Sequence, residues 1–139
     1  GLRRVGAMAR RRGLVVVISD FDGDPGEWET AMGAVALRHS VLCIECTDPR
    51  DAELPRAGLI PFVDPATGSV REVNTDSARV REAYATESLA RREAVRAAIR
   101  GTGADHLTLG TDGDWVMDLA RHVSRRRHRA ETMAGRAAR

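Results

Sequence analysis

A run of apolar residues near the start of the chain predicts a buried β-strand. Leu14 to Ile18 is continuous, mostly β-branched and apolar, and it leads through Ser19 into Asp20. A strand without polar alternation is typical of a parallel sheet that is covered on both faces. Ligands of open α/β sheets bind at the carboxyl ends of the strands, so Asp20 is predicted to lie where a functional site is expected.

The spacing of apolar positions in the rest of the chain predicts further helices and strands. Thr75 is expected to cap the long third helix, Asp114 to begin the last helix, and Trp28 and Trp115 to lie in the core. The order of elements favours the α/β class, with an open, mostly parallel sheet, helices on both faces and an edge hairpin. The predicted elements are helices over 2–12, 27–39, 76–100 and from 114 onward, strands over 41–46 and 106–109, and a hairpin of 59–63 with 69–73.

Length and charge favour a single domain with basic ends. The 139 residues include 22 basic residues, all of them arginine. Residues 1–12 carry a charge of +5, residues 13–120 a charge of −9 and residues 121–139 a charge of +6, so 124–139 forms a basic tail. No segment has the apolar length of a membrane span or the pattern of a signal peptide, and we expect a cytoplasmic location. Aromatic residues are too few for a platform that stacks nucleic-acid bases.

The two cysteines have C-x-x-C spacing but are not expected to form a redox or zinc pair. Cys43 and Cys46 fall within the strand predicted over 41–46. Residues three apart on a strand point to opposite faces, so the two sulfur atoms cannot converge on one ligand. We expect both to be buried, reduced thiols.

The carboxylates after the first strand allow an enzymatic interpretation. Asp20, Asp22 and Gly23 match the D-x-D-G signature of haloacid-dehalogenase-like phosphatases, in which the first aspartate is the nucleophile and the second the acid/base. Such a site neutralises the transferring phosphoryl group with a lysine and Mg²⁺, and this chain has no lysine. This phosphatase function is kept as the alternative. A calcium loop of the EF-hand type is excluded, because Pro25 and Ala31 would occupy its glycine and glutamate positions.

An ordered set of motifs resembles the carboxyl-terminal part of the von Willebrand factor A-like domain of a bacterial family of unknown function associated with MoxR ATPases. The resemblance covers nearly the whole chain, and the loop from Asp48 to Pro55 and the turn from Asp64 to Gly68 are its most distinctive parts. The motifs are Val15 to Asp22, His39 to Leu42, Asp48-Pro49-Arg50 with Glu53-Leu54-Pro55, Asp64 to Gly68, Gly103 to His106, and Thr111 to Trp115.

The resemblance implies a non-enzymatic, Rossmann-like module that binds proteins and works with a MoxR-type AAA+ ATPase in the maturation of protein complexes. Asp20 matches the last aspartate of the family's cation site, which also needs a D-x-S-x-S motif that this chain lacks. We therefore expect residues 1–139 to be a partial domain with its amino-terminal strands missing, no resident cofactor, and at most weak Mg²⁺ or Ca²⁺ binding at Asp20 and Asp22. Asp48 and Arg50 are the expected protein-binding residues.

The same resemblance predicts how the chain associates with itself. In the von Willebrand A order the strand that would pair with the Leu14 strand is absent. The first strand then has an unpaired apolar edge, and we expect the missing strand to be replaced by a second copy of the chain, in a homodimer, or by another segment.

Overall fold

The computed structural model describes residues 1–2, 4–5, 11–64 and 67–137, with side chains described up to residue 128. Most of the helix predicted over 2–12 lies outside the described residues. The helices and strands are β1 (Leu14–Ser19), α1 (Glu29–Ala36), β2 (Ser40–Thr47), β3 (Leu59–Val63), β4 (Val70–Asn74), α2 (Ala78–Gly101), β5 (Asp105–Gly110) and α3 (Trp115–Ala137).

The strands form two sheets within the described residues. One is a parallel sheet in the order β1-β2-β5, with Leu14 opposite Ser40 and Leu42 opposite Asp105. The other is the antiparallel hairpin of β3 and β4. Both the parallel pairing of the first two strands and the hairpin confirm the sequence-based predictions. The protein is therefore of the α/β class, with a small parallel sheet and helices.

The main core lies between one face of the parallel sheet and helices α1 and α2. Val41 and Cys43 from the central strand pack there against Met32 of α1 and Ile99 of α2. The opposite face of β2 is also covered, since Leu42 and Ile44 are buried. Helix α3 contacts β5 on that second face, where Arg126 forms an ion pair with Asp105. Helices therefore lie on both faces of the sheet.

Burial of β1 differs from the prediction. Only β2 is buried on both faces, whereas Leu14, Val16 and Ile18 are exposed, Ile18 at 67%. The prediction failed because β1 is an edge strand, and no described element covers its second face. In the described part of the chain its outer edge has no paired strand.

Thr75 stabilises the hairpin instead of capping α2. Its buried hydroxyl donates a hydrogen bond to the carbonyl of Gly58 (2.9 Å) and accepts one from the N–H of Ala57 (3.0 Å). Helix α2 begins after Ser77, whose side chain makes no capping bond. The capping prediction was wrong because Thr75 directly follows β4, where its hydroxyl binds the backbone of the segment just before β3.

Helix α3 begins where the sequence indicated but buries less of its apolar surface than expected. Asp114 accepts a hydrogen bond from the N–H of Met117 (3.1 Å), which confirms it as the capping residue. Trp115 is 57% exposed, so its assignment to the core was wrong, while Trp28 packs against the core as predicted. The first turn of α3 lies beyond the end of β5, which leaves Trp115 without a covering surface. No helix among the described residues combines the length and apolar character needed to cross a membrane.

Candidate functional site

A cleft of about 410 Å³ lies at the carboxyl ends of β1 and β2 and is walled by α2. We call it the carboxyl-edge cleft. Its lining contains six carboxylates and two arginines, so negative charge is in excess. The charged lining residues are Asp20, Asp22, Glu45, Asp48, Asp51, Glu87, Arg91 and Arg92.

Asp20 lies at the mouth of this cleft, one residue after β1, as the sequence indicated. Its Oδ1 accepts hydrogen bonds from the N–H of Asp22 (3.1 Å) and from the hydroxyl of Ser19 (3.3 Å). Oδ2 has no donor in the described part of the chain. One oxygen therefore orders the turn, and the other is available to a ligand or a partner.

Phe21 holds the turn after Asp20 in an unusual backbone conformation. Its φ is +52°, in the left-handed region that residues other than glycine rarely adopt. The ring is buried and makes an edge contact with Trp28, with 5.3 Å between ring centroids. The N–H of Phe21 donates to the hydroxyl of Ser19 (3.1 Å). Burial of the ring thus stabilises a strained turn that fixes the direction of the Asp20 side chain.

Asp22 and Asp24 have different roles in the same loop. Asp22, a predicted metal ligand, forms an ion pair with Arg91 of α2, and both side chains are more than half exposed. Asp24 accepts a hydrogen bond from the N–H of Gly26 (3.0 Å) and caps a short 3-10 turn, as expected for a helix-start residue. The ion pair directs the Asp22 carboxylate toward α2.

The predicted protein-binding residues lie on a second loop at the cleft, which helix α2 holds in place. Asp48 accepts a hydrogen bond from the N–H of Arg50 (2.9 Å), and no ion pair joins the two side chains in the described structure. The carbonyl of Asp51 accepts hydrogen bonds from the hydroxyls of Tyr84 (3.1 Å) and Ser88 (3.4 Å). Asp48 lines the cleft, whereas Arg50 is exposed and is not among the lining residues.

Glu45 is a site residue that the sequence analysis missed. It is 3% exposed, and its Oε2 lies 2.9 Å from Nε2 of His106 and accepts a hydrogen bond from the hydroxyl of Thr108 (3.1 Å). The parallel register of β2 and β5 brings His106 and Thr108 to the same face as Glu45, a contact that no spacing in the sequence predicts. A single glutamate within the apolar strand over 41–46 was the available signal, since buried carboxylates are rarely unpaired.

Comparison with known proteins identifies the family. The family model described as protein of unknown function DUF58 matches residues 1–94. The chain belongs to the DUF58 family. It is also 48% identical over 127 residues to the uncharacterized protein MAV169 of Mycobacterium avium, covering 91% of this chain and 73% of that relative.

Other relatives of this DUF58 chain are considerably longer. It is 47% identical over 121 residues to the uncharacterized proteins Rv1480 of Mycobacterium tuberculosis and Mb1516 of Mycobacterium bovis, covering 87% of this chain. The match spans 38% of the length of each of these relatives. No solved structure matches the chain.

Two chemical properties of the DUF58 site bear on metals and redox chemistry. Among the described residues, no group of three or more His, Cys, Asp or Glu side chains is arranged to hold a metal ion. Both cysteines are free: Cys43 is buried, which raises the pKa of its thiol to about 11, and Cys46 is exposed at the cleft. Cys43 is buried as expected, but the expectation that Cys46 is buried was wrong, because Cys46 lies near the end of β2 where the strand meets the cleft.

Proposed function

We propose that this DUF58 chain is part of a von Willebrand factor A-like, Rossmann-like module that binds partner proteins at the carboxyl edge of its sheet. Its partner is a MoxR-type AAA+ ATPase, and together the two proteins act in the maturation of other protein complexes without catalysis by this chain. The proposal combines the resemblance of the ordered motifs with the geometry of the carboxyl-edge cleft.

The observation that carries the proposal is the position of Asp20. It follows a parallel strand at the sheet edge, one oxygen of its carboxylate is held by the turn, and the other has no donor in the described residues. A carboxylate ordered in this way needs little rearrangement to bind a cation or a basic group of a partner, which lowers the entropic cost of binding.

The charge of the cleft supports a partner with a basic surface. Carboxylates outnumber arginines in the lining, and one of the two arginines, Arg91, is already paired with Asp22. An acidic surface steers basic partners and increases the rate of association, an effect that weakens as salt increases. Salt dependence of binding therefore reports on this surface.

The test is direct binding between this chain and a purified MoxR-type ATPase, measured by biolayer interferometry with and without ATP. Asp20→Asn should raise the Kd at least about tenfold, which corresponds to about 1.4 kcal/mol. Glu72→Gln is the matched control, because Glu72 is exposed on the hairpin and does not line the cleft. Equal affinity of the two variants, or no binding in either nucleotide state, would contradict the proposal.

The unpaired edge of β1 supports self-association as part of the same proposal. β1 has no charged residue, no proline and no bulge, the features by which proteins protect exposed strand edges. We propose that β1 of a second copy pairs with it across a two-fold axis, since antiparallel pairing of one strand with itself is self-complementary. Size-exclusion chromatography with light scattering should show a dimer that Ile18→Lys converts to a monomer. A monomeric wild-type chain would contradict this.

A second candidate function is that of a haloacid-dehalogenase-like phosphatase with Asp20 as nucleophile and Asp22 as acid/base. The supporting observation is the position of Arg91. Its guanidinium lies beside Asp22 and could supply the positive charge that a lysine supplies in such enzymes. Against it, the ion pair occupies Asp22, which a general acid needs free to carry a proton. Hydrolysis of p-nitrophenyl phosphate with Mg²⁺ that Asp20→Asn abolishes would favour this function over protein binding.

A further inference from the structure

A second cavity lies at the opposite end of the sheet from the carboxyl-edge cleft. It has a volume of about 400 Å³ and lies where the segment before β1 meets the turn between α1 and β2. We call it the amino-end cavity, and its polar lining residues are Arg12, Arg38, His39 and Ser40.

His39 is the unusual residue of this cavity. It is 7% exposed, and neither Nδ1 nor Nε2 of its ring has a hydrogen-bond partner among the residues that the structure describes. Nearly all buried polar side chains in proteins have a partner, and leaving one without a partner costs about 1–3 kcal/mol. A buried imidazole with two unused nitrogens therefore indicates a group that binds there.

The charged side chains around His39 are hydrogen-bond donors, and two nearby backbone carbonyls already accept hydrogen bonds. The carbonyl of Gly13 already accepts from the N–H of Ser40 (3.0 Å), and the carbonyl of Val35 accepts from the N–H of His39 (2.9 Å). Neither Arg12 nor Arg38 forms an ion pair within the described part of the chain, and none of the described lining residues is acidic. Two guanidiniums without an ion-pair partner among the described residues, together with the ring of His39, favour a ligand with negatively charged acceptor oxygens.

We propose that the amino-end cavity binds a phosphate-type oxyanion. The guanidiniums of Arg12 and Arg38 each donate to its oxygens, a geometry for which arginine is well suited. His39 donates a third hydrogen bond after rotation of its ring about the Cβ–Cγ bond, a torsion with a broad energy minimum. This site is separate from the carboxyl-edge cleft and does not depend on the function proposed for the cleft.

The test is NMR titration of the ¹⁵N-histidine-labelled chain with inorganic phosphate at constant pH and ionic strength. The chain has four histidines, and His39→Gln assigns the signal of interest. Chloride is titrated in parallel. Phosphate should shift the His39 ring resonances saturably, with a Kd of about 1 mM or lower. Glycerol phosphate as a second ligand distinguishes the source: tighter binding indicates a phosphorylated metabolite, and weaker binding indicates free phosphate.

Two double variants distinguish binding at a specific site from general attraction of phosphate to a basic surface. Arg12→Gln with Arg38→Gln should raise the Kd for phosphate at least about tenfold. Arg56→Gln with Arg79→Gln removes the same charge at two exposed arginines outside the cavity, and it should leave the Kd within about twofold. The proposal is overturned if phosphate shifts His39 no more than chloride does, or if both double variants weaken binding equally.

Discussion

Substitutions of Phe21 distinguish two opposing contributions to stability at the carboxyl-edge cleft, burial of the aromatic ring and strain in the backbone. The ring is 5% exposed and packs against Trp28. Truncation to alanine removes this burial and leaves a cavity, so Phe21→Ala should lower the free energy of unfolding by about 3–5 kcal/mol.

The backbone at Phe21 predicts an unusual order of the alanine and glycine variants. In an ordinary conformation glycine is about 0.5–1 kcal/mol less stable than alanine, because it loses more conformational entropy on folding. At the φ of +52° found here, a residue with a Cβ atom instead bears a steric cost of about 1–2 kcal/mol. The net expectation is that Phe21→Gly is more stable than Phe21→Ala by about 0.5–1 kcal/mol.

Urea unfolding followed by far-UV circular dichroism measures both variants on one scale, provided that their m-values agree. Ala83→Gly is the control, since Ala83 is an exposed interior position of α2, where glycine should cost about 1 kcal/mol. If Phe21→Gly is the less stable of the two variants, the left-handed backbone conformation does not destabilise the alanine variant, and the turn that orients Asp20 is unstrained.

Four further predictions concern the cleft and the central strand. Burial raises the pKa of the Cys43 thiol from 9.0 to about 11, so the neutral thiol stabilises the folded state fully below pH 9, and this stabilisation is lost as the pH rises toward 11. Unfolding free energies measured between pH 8 and 11 should therefore fall less steeply in Cys43→Ala than in the wild-type chain. In the native protein at pH 8, a thiol reagent should modify Cys46 and spare Cys43. Glu45→Ala removes the buried carboxylate that binds the half-buried ring of His106 and the hydroxyl of Thr108, and it should cost about 1–3 kcal/mol, with a smaller loss in Glu45→Gln, as measured by urea unfolding. Arg91→Ala removes an exposed ion pair, which salt and solvent screen, and should change the unfolding free energy by less than about 1 kcal/mol.

The sequence could predict those features of the fold that depend on local pattern. The two apolar strands, the hairpin and the placement of Asp20 after β1 follow from runs of residues that are contiguous in the chain. Burial is different, because it depends on what lies beside a strand. β1 and β2 have similar composition, yet only β2 lies between two strands and two helix layers.

The contacts that define the cleft depend on residues far apart in the sequence. Glu45 meets His106 across 61 positions because of the register of β2 and β5, and Arg91 reaches Asp22 from a helix that begins more than fifty residues later. Neither contact leaves a spacing motif in the sequence. A lone charged residue in an apolar strand shows that a partner exists but does not identify it.

Helix α2 positions both loops of the carboxyl-edge cleft through side chains on one of its faces. Tyr84, Ser88 and Arg91 are separated by four and three residues, so they lie in line along the helix. The first two bind the carbonyl of Asp51, and Arg91 binds Asp22 of the other loop. Because one rigid element sets both loops, Asp20 and Arg50 have defined positions before any partner arrives. A partner that contacts both loops therefore loses less free energy to ordering them, and a substitution on this face of α2 should weaken the proposed binding through the loops that it positions.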